Sequence, residues 1–218
     1  MSLLQRFHVS QTTGVLDVSN MELHFLPDLP DSIRELRCSH NSLTSLPPLP
    51  ASLHILRCAN NSLTSLPELP DSLVILCCDQ NKLVSLPNLP DSLLELDCSM
   101  NDIHTLQKLP TSLTELYCEW NQLTTLPNLP KPLTKLYCYD NPFRGKFAEM
   151  TSSAEGMIPT IRQYYARKKQ ARETLAFQQT LGRSDMSDDC NAVIGSYLSA
   201  YNGTLPNQFA KLRECILP

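Results

Sequence analysis

From Leu16 to Phe143 the apolar residues do not follow a helical rhythm but return at fixed places in a unit of twenty residues. Asn41, Asn61, Asn81, Asn101, Asn121 and Asn141 mark the unit without one insertion. Two residues after each comes an apolar side chain: Leu43, Leu63, Leu83, Ile103, Leu123 and Phe143. A Leu-Pro-x-Leu-Pro stretch follows, as in Leu46 to Pro50, and then Ser-Leu-x-x-Leu-x-Cys, as in Ser52 to Cys58. Around Leu36 and Cys38 apolar and polar residues alternate, and a period of two predicts a short strand. A divergent first unit runs through Leu16, Val18, Leu23 and Leu26, with Val18 in the cysteine slot and Met21 in the asparagine slot.

Strict self-similarity at this period predicts a solenoid with one turn per unit. Successive strands then pair in parallel about 4.8 Å apart, so seven units make a ladder about 30 Å long. No turn can bury its leucines alone; stacked turns share one core. Burial at roughly 1.5–3 kcal/mol per large apolar side chain supplies the driving force. The asparagine sits where the chain leaves the strand, and its amide can satisfy backbone groups of neighbouring turns. The return leg is too short and too rich in proline for a helix, and is expected to run extended along the convex side. The fold class expected is an α/β repeat: a curved leucine-rich-repeat solenoid with a parallel β-sheet on its concave face and a C-terminal helical segment.

Three regions follow. Residues 1–14 form an N-terminal cap, in which Phe7 and Val9 are read as a strand over the open end of the core. Residues 15–143 are the repeats. Residues 144–218 are read as a helical cap or docking segment. Met157 to Leu181 predicts a helix ending at Gly182, with a basic run of Arg162, Arg167, Lys168, Lys169 and Arg172. A second amphipathic helix is expected after Ser187, carrying Cys190, Val193, Ile194, Tyr197, Leu198 and Tyr201, and a third around Phe209, Leu212 and Ile216.

Charge sharpens the picture. The net charge of −4 divides unevenly: up to Asn141 there are 8 Lys+Arg against 15 Asp+Glu, a balance of −7, and beyond it 10 against 7, a balance of +3. An acidic array repels phosphates, which disfavours a nucleic-acid partner. No stretch reaches the roughly 18 apolar residues of a membrane helix, and Met1 to Gly14 lacks the apolar run of a cleavable signal. Six of the nine cysteines recur at one repeat position, Cys38 through Cys138. A line of thiols is the wrong shape for zinc, which needs four converging ligands, so they read as small buried hydrophobes in a reducing compartment. No metal or cofactor is expected. Cys77 is the exception, turned by alternation toward the concave surface.

The spacing and the Leu-Pro-x-Leu-Pro signature closely resemble the short bacterial leucine-rich repeats of the YopM and IpaH effector families. The resemblance covers Leu16 to Phe143, about three-fifths of the chain. It implies protein binding, with a host cytoplasm reached after secretion as the site of action. Two departures stand out: cysteine replaces the usual aliphatic residue in the strand, and only Met1 to Gly14 stand where those effectors carry a helical hairpin. IpaH proteins also carry a ubiquitin-ligase domain whose nucleophilic cysteine is followed two residues later by aspartate. Here Asn191 and Ala192 follow Cys190, and Asp188 and Asp189 would raise a thiol pKa, so no enzyme is expected.

Where the core positions are strict, the outward strand positions vary. One column reads Arg37, Arg57, Cys77, Asp97, Tyr117, Tyr137; the next Ser39, Ala59, Asp79, Ser99, Glu119, Tyr139; beyond it His40, Asn60, Gln80, Met100, Trp120, Asp140. Tyr and Trp are favoured interface anchors, and they gather at one end. The expected partner-binding residues are Arg37, Arg57, Asp97, Tyr117, Glu119, Trp120, Tyr137 and Tyr139. The expected function is a scaffold that captures a partner protein. The alternative is a ubiquitin-ligase-related adaptor whose tail recruits machinery.

Overall fold

The computed structural model describes residues 2–144 and 157–181, with side chains described up to Glu173. Seven short strands form one parallel sheet in sequence order: β1 (Val15–Asp17), β2 (Glu35–Arg37), β3 (Ile55–Arg57), β4 (Ile75–Cys77), β5 (Glu95–Asp97), β6 (Glu115–Tyr117) and β7 (Lys135–Tyr137). The register is in step with the repeat, so Leu36 pairs with Leu56, Leu76 with Leu96 and Leu116 with Leu136. This is a curved leucine-rich-repeat solenoid with the sheet on its concave face, and the return legs carry no helix. The core is the stack of Leu36, Cys38, Leu43 and Leu53 with their equivalents, all without exposed surface through the middle turns.

Beyond each strand the ladder continues through a left-handed residue. His40, Asn60, Gln80, Met100, Trp120 and Asp140 have φ between 50° and 57°, and the N–H groups of the first five reach the next turn, as from His40 N to Ala59 O at 2.9 Å. The asparagine that follows ties turns together. Asn101 Nδ2 lies 3.1 Å from Cys78 O, 3.2 Å from Cys98 O and 3.0 Å from Ser99 O, while its Oδ1 accepts from Leu83 N at 2.9 Å. A buried bend leaves just such groups without partners. At the convex edge a serine plays the same part: Ser52 Oγ lies 2.6 Å from both Asp31 O and Ile33 O of the turn before.

The N-terminal segment differs from the expected strand. Phe7 and Val9 lie in a helix, α1 (Leu3–Thr13). Local chemistry decides this: Ser2 and Gln5 make a reciprocal capping box, and Gly14 closes the C-terminus at φ 71° with its N–H on Ser10 O at 2.8 Å. Caps of this kind outweigh the β-branched Val9, Thr12 and Thr13. The Gly14 carbonyl accepts from Arg34 N and Glu35 N, so the cap residue already keeps the register of the turns.

At the other end, α2 spans Met157–Leu181, the bounds the apolar pattern predicts. Its first residues belong to the same compact unit as the repeats. Met157 and Ile161 are buried, and the Cys138 thiol donates to Met157 Sδ at 3.2 Å. At each end of the described turns an arginine reaches carbonyls that no other described turn satisfies. Arg6 Nη1 donates to Asp17 O at 2.6 Å. Arg162 Nη2 lies 2.6, 2.8 and 3.1 Å from the carbonyls of Pro130, Lys131 and Leu133; the last two stand where a serine of the following turn donates elsewhere in the array. Farther along α2, Lys168 Nζ sits 5.9 Å from the Tyr164 ring centroid and Lys169 pairs with Glu173 at 3.6 Å. The helices expected after Ser187 and around Phe209 lie outside the described residues, as does Cys190.

Candidate functional site

Alternation turns Leu36, Leu56 and their equivalents inward, and leaves both flanking positions of each strand facing out. Of the eight residues expected on this face, Arg37, Arg57, Asp97, Tyr117 and Tyr137 close their strands and Glu119, Trp120 and Tyr139 follow β6 and β7, and they divide into two groups. Arg37 and Arg57 stand at the N-terminal end and both face Glu35, at 2.7 and 3.9 Å. Tyr117, Glu119, Trp120, Tyr137 and Tyr139 stand on the last two turns, and Asp97 adjoins them through its register with Tyr117. The two arginines are therefore not part of the aromatic cluster.

That cluster is open. Trp120 exposes 54% of its surface, Met100 48%, Tyr137 46% and Tyr139 44%. The rings of Tyr117 and Tyr137 stack in parallel, 5.1 Å between centroids and 6° between planes. Such pairs add about 0.5–1.5 kcal/mol beyond burial, which holds Tyr137 in place although β7 is the last strand. Trp120 and Met100 occupy left-handed positions. That geometry suits Asn and Asp and is poor for a bulky side chain, so neither residue is there for the turn.

Sequence reasoning missed the outward column on the other side of each leucine: Glu35, Ile55, Ile75, Glu95, Glu115 and Lys135. The signal was the same alternation, read only on one side of the inward residue. This column anchors the known one. Glu115 accepts from Lys135 Nζ and from the Tyr117 hydroxyl, each at 2.9 Å, and these two donors hold its carboxyl below the usual range. Asp97 Oδ1 accepts from Ser99 N at 3.1 Å and from Ser99 Oγ at 2.7 Å. Burial, with Asp97 adding, raises the carboxyls of Asp79 and Glu119. Glu119 Oε2 is shielded from water without a hydrogen-bond partner.

The cysteine column behaves as a set of small hydrophobes. Cys38, Cys58, Cys78, Cys98, Cys118 and Cys138 are buried and free, and loss of water pushes the Cys38 and Cys138 thiols up to about 12. Cys77 does turn toward the concave surface, half-buried, where Arg57 Nη1 donates to its Sγ at 3.3 Å. Burial outweighs that arginine and raises the thiol to about 11. Thiolate chemistry at neutral pH is therefore disfavoured at every described cysteine.

No family model and no curated protein matches the chain. Solved structures do. A Shigella effector leucine-rich-repeat domain is 32% identical over 70% of this chain and 83% of its own, with a TM-score of 0.61. YopM from Yersinia enterocolitica WA-314 is 38% identical over 55% of this chain, with a TM-score of 0.55. YopM from Yersinia pestis, a leucine-rich effector protein, is 29% identical over 64%, with a TM-score of 0.54. The chain spans 27% and 53% of those two YopM chains. Over its repeats, the chain belongs to the YopM- and IpaH-like bacterial leucine-rich-repeat proteins.

Proposed function

We propose that the chain is a non-enzymatic scaffold that captures a partner protein on its concave strand face, and that it acts as an effector in the cytoplasm of a host cell after secretion. One observation carries the binding reading: Trp120, Tyr137 and Tyr139 are exposed together on the last turns, at positions that neither core nor turn geometry assigns to aromatics. Similarity to a Shigella effector domain and to two YopM proteins supports the effector reading. The comparisons give the ubiquitin-ligase-related adaptor no support. Among the described residues no helix is long and apolar enough to cross a membrane.

The test is affinity capture from host-cell cytosol with the intact chain, with Trp120→Ala/Tyr137→Ala, and with an exposed control outside the strands, Val84→Ser. The reading predicts a protein retained by the intact chain and the control and lost from the double variant, with all three folded by thermal melting. Equal retention by all three contradicts it. Incubation of the intact chain with ubiquitin, activating enzyme and conjugating enzymes is expected to give no conjugates.

A further inference from the structure

The geometry points to a partner of one chemical kind: an extended protein segment carrying arginine or lysine, seated across the C-terminal half of the strand face. This inference rests on the capture surface proposed above and specifies its ligand. Its basis is an account of the charges on the sheet. Each basic side chain on the strands already has an acidic partner: Arg37 and Arg57 share Glu35, and Lys135 holds Glu115. Asp79, Glu95, Asp97 and Glu119 form no ion pair with any described residue.

These carboxylates are neighbours. Asp97 is on β5, Asp79 leaves the strand before it and Glu119 the strand after it, so Asp97 lies diagonally between the two. Burial and mutual repulsion already disfavour the charged forms of Asp79 and Glu119. The Glu119 oxygen without a donor stands at the same place. An arriving guanidinium or ammonium supplies both the missing charge and the missing hydrogen bonds. Tyr139 follows Glu119 in the same column and Trp120 follows it in the chain, so the aromatic cluster adjoins the carboxylate, and aromatic rings favour cations over neutral side chains. An acidic segment meets uncompensated negative charge here and is repelled.

Trp120 is the sole tryptophan, so its fluorescence reports the site directly. The intact chain is titrated with short synthetic peptides in which glycine alternates with arginine, with lysine or with glutamate. The arginine and lysine peptides are expected to shift Trp120 emission saturably and to bind more weakly as salt rises, since the Debye length shrinks from about 10 Å at 0.1 M to about 3 Å at 1 M. Asp97→Asn/Glu119→Gln keeps the acceptors and removes the charges; it is expected to weaken both peptides about tenfold, and Asp79→Asn to weaken them less. No saturable shift, an equal response to the glutamate peptide, or unchanged binding by the folded double variant overturns the inference. Salt-reversible self-association of the chain also overturns it, by assigning the face to the basic helix of a second copy. The two proposals separate in the capture assay. If Trp120→Ala/Tyr137→Ala loses its partner while Asp97→Asn/Glu119→Gln keeps it, the surface stands and the cationic ligand falls.

Discussion

The two halves of the strand face share one backbone and one core, yet their surfaces have opposite characters. On β2 and β3 the charged side chains are paired, with Glu35 facing both Arg37 and Arg57, and no exposed large apolar residue lies on these two strands. On the last turns four large apolar side chains stand open, and acids that form no ion pair with any described residue lie among them. Since the leucines and asparagines beneath are the same in both halves, folding does not require the difference. A surface that stability does not specify is the part of a repeat protein free to be shaped by a partner.

The comparison can be broken first at the face itself. Trp120→Ala/Tyr137→Ala is expected to cost about 2–4 kcal/mol in partner affinity, the range of interface hot spots. Arg37→Ala/Arg57→Ala is expected to change it less than about threefold, because both side chains are already engaged by Glu35; titration calorimetry with the captured partner reads both. A larger loss from the arginines would move the site to the other half.

The shared framework gives the next effect. Asn121→Ala removes bonds to Cys98 O, Cys118 O, Glu119 O and Ile103 N in one substitution. Unsatisfied buried groups cost about 1–3 kcal/mol each where water cannot reach them, so the midpoint of urea unfolding should fall clearly. Asn41→Ala near the other end is expected to cost less, since its site is only part-buried and water can replace the amide.

The two ends can then be set against each other. Arg162→Ala strands the carbonyls of Lys131 and Leu133 and leaves Pro130 O with Leu133 N alone, whereas Arg6→Ala strands one. Each arginine leaves its own Nε buried without a partner, which trims the net gain. Losses of about 1–2 kcal/mol and about 1 kcal/mol or less are expected, with thermal melting ranking Arg162 above Arg6.

The smallest effects are electrostatic and opposite in sign. The folded-state pKa of Glu119 lies above its unfolded value, so stability falls as pH rises through the folded pKa; Glu119→Gln should raise the melting temperature at neutral pH, with the gain vanishing in acid. Glu115 is held low by Lys135 and Tyr117. Its contribution is present above the unfolded pKa and lost as pH falls through the folded pKa, so Glu115→Gln should lower the melting temperature at neutral pH. Melts across the acid range distinguish the two.

What was legible in the sequence follows from where the information sits. The repeat announces itself because each turn must present the same leucines and the same asparagine to its neighbours, and alternation then places Trp120 and Tyr137 outward without coordinates. The helix over Phe7 and Val9 was obscured because it has no clear apolar stripe; its signals were the local pair Ser2 and Gln5 and the stop at Gly14. Arg6 and Arg162 gave no sign of their roles, since their acceptors are backbone carbonyls and leave no side-chain pattern. The Glu35 column was visible in principle, but the pairing of Glu35 with Arg57 appears only when two turns stand side by side.

The most direct test places a fluorine label on the sole tryptophan by growing the chain with fluorotryptophan and following its resonance as the captured partner is added. The account predicts that the Trp120 signal moves and broadens in step with binding, and that it stays in step in the Arg37→Ala/Arg57→Ala variant. A fully bound complex in which that resonance keeps its position and its exposure to solvent would contradict the account.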